Sequence, residues 1–138
     1  MKVRMAMAKT ITSARKDEKV IDVAKKMKQE DAGFVPVVAN GGTVIGVITD
    51  RDIVIRCIAE GHDPRDESVE HVMSSDVMTV NPEDDIQDAA RKMEREEVRR
   101  LAVTENGRLV GVLSHGNLVQ ATGGKTAEKA TEGVTRGA

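Results

Sequence analysis

Two short stretches carry the side chains best suited to hold a ligand. Gly46-Val47-Ile48-Thr49-Asp50-Arg51-Asp52 places a hydroxyl three residues before a carboxylate, and Gly111-Val112-Leu113-Ser114-His115-Gly116-Asn117 places one three residues before an amide. A hydroxyl at the end of a strand can donate to a ribose or phosphate oxygen. A carboxylate on the first turn of the next helix can accept from both hydroxyls of a ribose diol, and its charge strengthens those bonds. Backbone amides left free at a helix start also favour an anion. The same residues make good helix starts, with Thr49 and Ser114 as caps and Asp52 and Asn117 in the first turn. One stretch alone reads either way; two at matching places add weight to the ligand reading.

Other polar groups carry less. Arg99 and Arg100 could meet phosphate, or could be a solvated pair that guards a strand edge against aggregation. His62, Asp63, Asp66, Glu67, Glu70 and His71 are of metal-binding types, yet six polar residues in a connecting loop are more often simply solvated, and no metal site is expected. Gly124-Lys125-Thr126 has the end of a phosphate loop, but the glycine required five places earlier is Val119. His115 follows Ser114 with no third group to complete a triad. No catalytic constellation emerges, and no enzyme is expected.

The elements that position these residues occur twice. Asp22-Val23-Ala24-Lys25-Lys26-Met27 returns as Asp88-Ala89-Ala90-Arg91-Lys92-Met93, 66 residues later, and Gly42 to Thr49 returns as Gly107 to Ser114, 65 later. One residue is therefore lost between the two blocks. Each copy begins with a short strand, Thr10 to Ala14 and Val77 to Val80. A helix follows, with Val20, Ala24 and Met27, or Ile86, Ala90 and Met93, on one face. Asn81 as cap and Pro82 in the first helical position mark the start of the second of these helices. Next come strands at Val35 to Ala39 and Val44 to Thr49, turning at Asn40-Gly41-Gly42, and at Leu101 to Thr104 and Leu109 to Leu113, turning at Glu105-Asn106-Gly107. A closing helix starts near Asp52 and near Asn117. The order β-α-β-β-α, twice, predicts an α+β fold in which small sheets carry helices on one face. Packing sheet to sheet about a pseudo-twofold axis would cover the other faces. The copies are expected at 1–66 and 67–122, with a mobile tail over 123–138.

Composition narrows the function. The chain has 138 residues, 39% of them hydrophobic and 32% charged, which suits a folded domain, and its formal net charge of −2 disfavours nucleic acid as a partner. Phe34 is the only aromatic residue, so no platform exists for stacking single-stranded bases. Cys57 is the only cysteine and lies in the apolar run Ile53 to Ile58, which reads as a packed thiol and not a reactive one. No apolar run is long enough to span a bilayer and no signal peptide stands out, so a cytoplasmic location is expected.

Together the duplicated order, the two junction motifs and the segments Val35-Pro36-Val37-Val38 and Val98-Arg99-Arg100-Leu101-Ala102-Val103 resemble the CBS domain family, named after cystathionine beta-synthase. The layout is most like its small stand-alone pairs of repeats (Bateman modules), the hypoxic response proteins among them. The resemblance implies two clefts between the repeats that hold an adenosine nucleotide, AMP, ADP or ATP. NAD, S-adenosylmethionine or empty clefts in an interaction module are the alternatives. Carried over, one cleft would use Thr49 and Asp52 for ribose, with Thr10, Ile11, Val35 and Pro36 around the base. The other would use Ser114 and Asn117, with Val77, Met78 and Leu101 around the base and Arg99 and Arg100 on phosphate. In copy one Phe34 and Val35 are expected in the arginines' places. Asn117 departs from the usual Asp and would hold a ribose less firmly. The resemblance also implies that no cofactor is required, that a homodimer forms through the helices near Ile53, Ile55, Ile58, Leu118 and Val119, and that an unknown regulated protein is a further partner.

Overall fold

The computed structural model describes residues 1–123, so the expected tail lies outside the described residues except for Gly123. In chain order the elements are α1 (Val3–Ala6), α2 (Val20–Glu30), β1 (Phe34–Val38), β2 (Val44–Thr49), α3 (Asp50–Asp52), β3 (Thr79–Val80), α4 (Ile86–Glu96), β4 (Arg100–Glu105), β5 (Arg108–Ser114) and α5 (His115–Thr122). Helix α3 continues as π-helical turns over Ile53–Ile58, and single 3-10 turns lie at Asn40–Gly42 and Val69–His71. Strands β1 and β2 form one antiparallel sheet; β3, β4 and β5 form another, in which β3 runs parallel to β4. The fold is α+β.

The helical spacing in the sequence selects the buried faces. Helix α2 buries Val20, Val23 and Met27, while α4 buries Ile86, Ala89, Ala90 and Met93. Both end on a residue in left-handed backbone, Asp31 with φ 51° and Glu97 with φ 55°. The start of α4 differs from the sequence expectation. The helix begins at Ile86, with Asp85 as cap accepting from the Gln87 amide at 2.7 Å. Asn81 and Pro82 instead form a turn, in which the Asn81 side chain accepts from the Glu83 amide at 2.9 Å and the Asp84 amide bonds to the Asn81 carbonyl at 3.0 Å. Asn followed by Pro suits the first two places of a turn as well as it suits a cap, and here the turn wins.

The expected opening strands shrink. Over Thr10 to Ala14 only Ala14 joins a sheet, as an isolated parallel bridge to Val37, because Ala14 alone exchanges backbone bonds with β1. Val77 to Val80 reduces to β3. The hairpin strands shift by about one residue at their ends, the usual uncertainty of strand boundaries. The register of β1 with β2 breaks between Val37 and Val38, leaving Ile45 without a partner on β1. That break lies in the stretch where copy one is one residue longer.

The chain divides into two compact units. One holds Met1–Ile11, Met78–Asn106 and the chain from Val110 onward; the other holds Thr12–Val77 and Gly107–Leu109. Each has its own core. The first centres on Val3, Met93, Leu101, Val103, Leu113 and Leu118, the second on Val20, Val23, Val35, Val37, Ile48 and Cys57. Truncating a buried leucine to alanine in such a core costs about 2–5 kcal/mol.

The division exposes a third repeated element. The segment Met1–Ala8 serves the copy-two unit as Glu67–Ser74 serves the copy-one unit, again 66 residues apart. The amides of Ile86 and Val20 bond to the carbonyls of Met1 and Glu67 at 3.0 and 2.9 Å. Val3 and Val69 are each fully buried. Ala8 bridges Val112, and Ser74 bridges Val47. Glu83 holds the first segment: its carboxylate accepts from Lys2 Nζ at 2.6 Å and from Arg4 Nε at 2.9 Å. These bonds lower the Glu83 pKa, first through Lys2 and then Arg4. Their stabilisation is thus present above the usual glutamate range and is lost as pH falls through the lowered value.

Candidate functional site

Both junction motifs are complete capping boxes. Thr49 Oγ1 accepts from the Asp52 amide at 3.1 Å, and Asp52 Oδ2 accepts from the Thr49 amide at 2.9 Å. Ser114 Oγ accepts from the Asn117 amide at 3.0 Å, and Asn117 Oδ1 accepts from the Ser114 amide at 2.9 Å. Each box fixes a strand-to-helix corner. It also leaves the hydroxyl proton of Thr49 or Ser114 unassigned and one oxygen of Asp52 outside the box. Arg56 Nε lies 3.9 Å from that oxygen, Oδ1.

The glycine that opens each motif has a packing role. A Cβ on Gly46 would sit 2.6 Å from Met73 Sδ and 2.9 Å from the Ser74 carbonyl oxygen; one on Gly111 would sit 2.6 Å from Met7 Sδ and 2.9 Å from the Ala8 carbonyl oxygen. The lead segments lie directly against these strands, and only hydrogen fits between.

The residues around the two corners differ. At the second, Arg99 and Arg100 are exposed and, with Ser114, His115 and Gly116, line a depression of about 440 Å³. Neither guanidinium has a carboxylate partner among the described residues. The backbone fixes their counterparts in copy one. The His115 amide bonds to the Arg99 carbonyl at 2.8 Å, and the Asp50 amide to the Gly33 carbonyl at 3.0 Å. Arg99 therefore corresponds to Gly33 and Arg100 to Phe34, which corrects the expected Phe34 and Val35 by one place. The correct equivalence follows from the 66-residue offset that holds up to this point of the repeat. Val35 pairs with Ile48 and is fully buried, so it belongs to the core.

The remaining expected residues fall as follows. Pro36 pairs with Val47 in the β1–β2 sheet, and Leu101 is fully buried in β4. Met78 packs against the copy-two core, and its carbonyl accepts from the Ala102 amide at 3.3 Å. Thr10 and Ile11 belong to the copy-two unit and Val77 to the copy-one unit.

The polar residues read as a linker are largely structural. Glu67 accepts from the Ser68 amide at 3.0 Å and lies 2.7 Å from His71 Nδ1, while Asp63 accepts from the Arg65 amide at 2.9 Å. Cys57 is fully buried, and burial pushes its thiol pKa up, with Glu67 and Asp63 adding to the effect. No helix of the described residues is long and apolar enough to cross a membrane.

Comparison with known proteins matches this geometry to a family. The CBS domain profile fits residues 3–58 and 69–124, and each match opens inside a lead segment, at Val3 and at Val69. The CBS domain-containing protein YhcV of Bacillus subtilis is 33% identical over 116 residues, covering 84% of this chain and 81% of its own. Hypoxic response protein 1 of Mycobacterium tuberculosis is 29% identical over 110 residues, covering 80% of this chain and 77% of its own. A crystal structure of Hypoxic Response Protein I with two coordinated zinc ions has a TM-score of 0.80 at 28% identity, covering 87% of this chain and 98% of that one. The CBS domain pair of protein MJ0100, in complex with 5'-methylthioadenosine and S-adenosyl-L-methionine, shares the fold with a TM-score of 0.80 at 22% identity, covering 91% and 98%.

Proposed function

The chain belongs to the CBS domain family as a regulatory pair of repeats, and we propose that it binds an adenosine nucleotide, AMP, ADP or ATP, and catalyses nothing. The observation that carries this reading is the depression at the second corner, where two arginines with no carboxylate partner among the described residues line the same hollow as Ser114. Guanidinium groups suit phosphate because they offer several donors in a fixed plane. Ligand binding would alter packing within the module and so the docking of a regulated partner. In this reading the protein works in the cytoplasm as a homodimer. Val54, Ile55, Ile58 and Val119 favour self-association, since they remain 43–56% exposed on the closing helices, while Ile53 and Leu118 turn inward.

A second reading rests on the capping boxes: both corners could be helix starts alone, in an interaction module that takes no nucleotide. Thermal melting with ATP, ADP, AMP, NAD and S-adenosylmethionine separates the two. A ligand of the folded state raises Tm with concentration, equivalent to about 2.7 kcal/mol at a hundredfold excess over Kd. No shift with any of these compounds at millimolar concentration leaves the second reading. Light scattering on the same samples gives twice 14.9 kDa for the homodimer.

A further inference from the structure

We propose that the two corners select ligands by charge: the Ser114 corner takes an adenosine compound that bears phosphate, and the Thr49 corner an adenosyl compound that bears none. This rests on the nucleotide reading above and assigns a ligand class to each half of it.

The assignment follows from the corrected equivalence. At the Ser114 corner the chain supplies Arg99 and Arg100, the box residue is the neutral Asn117, and among the described residues no carboxylate lines the depression. At the Thr49 corner the strand supplies Gly33 and Phe34 in their places. The helix side then adds two carboxylates, Asp50 and Asp52, with the guanidinium groups of Arg51 and of Arg56, whose Nε lies 3.9 Å from Asp52 Oδ1, on the helix and none on the strand side. The position of Asp50 sharpens the contrast. Its Oδ2 lies 2.7 Å from where a Gly33 Cβ would stand, and its Oδ1 accepts from the Arg51 amide at 2.8 Å. A fixed carboxylate thus fills the space from which the Arg99 side chain departs in copy two. A phosphate brought there meets like charge with no strand cation to offset it. A ribose diol meets Asp52, which can accept from both hydroxyls. The Ser114 corner has the reverse balance, holding the diol weakly through an amide and the phosphate through two charge-assisted donors.

Calorimetry on the full chain tests this with AMP and adenosine as probes. One equivalent of AMP should bind, and adenosine titrated into the AMP-saturated protein should add a second equivalent. In Arg99→Ala/Arg100→Ala, AMP should lose at least ten times more affinity than adenosine loses. Phe34→Arg with Asp50→Asn should let the Thr49 corner take a second equivalent of AMP. Two equivalents of AMP binding with equal affinity to the unaltered protein would overturn the assignment and leave the nucleotide reading standing. So would equal losses of AMP and adenosine affinity in the arginine variant. If neither compound binds the unaltered protein, both fall.

Discussion

Gly111→Ala lowers the stability of the protein by about 1–3 kcal/mol, and Gly46→Ala does the same, the cost of forcing atoms into a filled space. Elsewhere in a strand the change would be mildly favourable, because alanine reduces the freedom of the unfolded chain. Here the new methyl meets a backbone carbonyl at 2.9 Å, Ala8 in one case and Ser74 in the other. The methionine sulfur at 2.6 Å can swing aside, but the carbonyl is held by the bridge to the strand. Gly116→Ala is the control. It lies inside α5 with only the Ser114 Oγ near, at 3.6 Å, so it should leave stability unchanged or raise it by up to about 1 kcal/mol. Chemical denaturation of the three variants checks the contrast. Equal stabilities for all three would mean that the lead segments do not lie against these strands.

Asp52 is the second position where a large effect is expected, and two substitutions separate its roles. Asp52→Ala removes half of the capping box, which costs about 0.5–2 kcal/mol of stability, and removes a charged acceptor for ribose. Asp52→Asn keeps the box, since Asn117 accepts from the Ser114 amide in the same geometry at 2.9 Å. It removes only the charge. If the carboxylate holds a ribose, adenosine binding at this corner should weaken by about 1.5–3 kcal/mol in both variants, roughly 10- to 150-fold. Stability should fall only in the alanine variant. An asparagine variant that binds adenosine as tightly as the unaltered protein would make Asp52 a capping residue alone.

How much of this was legible in the sequence depends on the length of each signal. Helices α2 and α4, eleven residues each, announce themselves through repeated apolar spacing, and the hairpins through turn residues between β-branched runs. The corners were legible because a hydroxyl and an acid or amide three residues apart is a local pattern. The lead segments were not, because α1 spans four residues and Val69–His71 three, too short to show any period. Only the 66-residue offset, carried back to the first residues, reveals Val3 and Met7 opposite Val69 and Met73. The expected strands at the two-residue β3 and at the Ala14 bridge were too long for a related reason: β-branched residues mark where a strand could form, while the neighbouring strand decides how much of it does. The charge contrast at the corners needed the hydrogen bonds of Asp50 and His115 to fix which residues are equivalent, since a shift of one place exchanges Phe34 for Val35.

Backbone amide chemical shifts followed through an AMP titration test nucleotide binding most directly. The resonances of Arg99, Arg100, Ser114, His115 and Asn117 should move along one saturating curve, while those on the exposed face of α2 stay in place. A spectrum unchanged at millimolar AMP, or shifts that spare the Ser114 corner, would contradict the account.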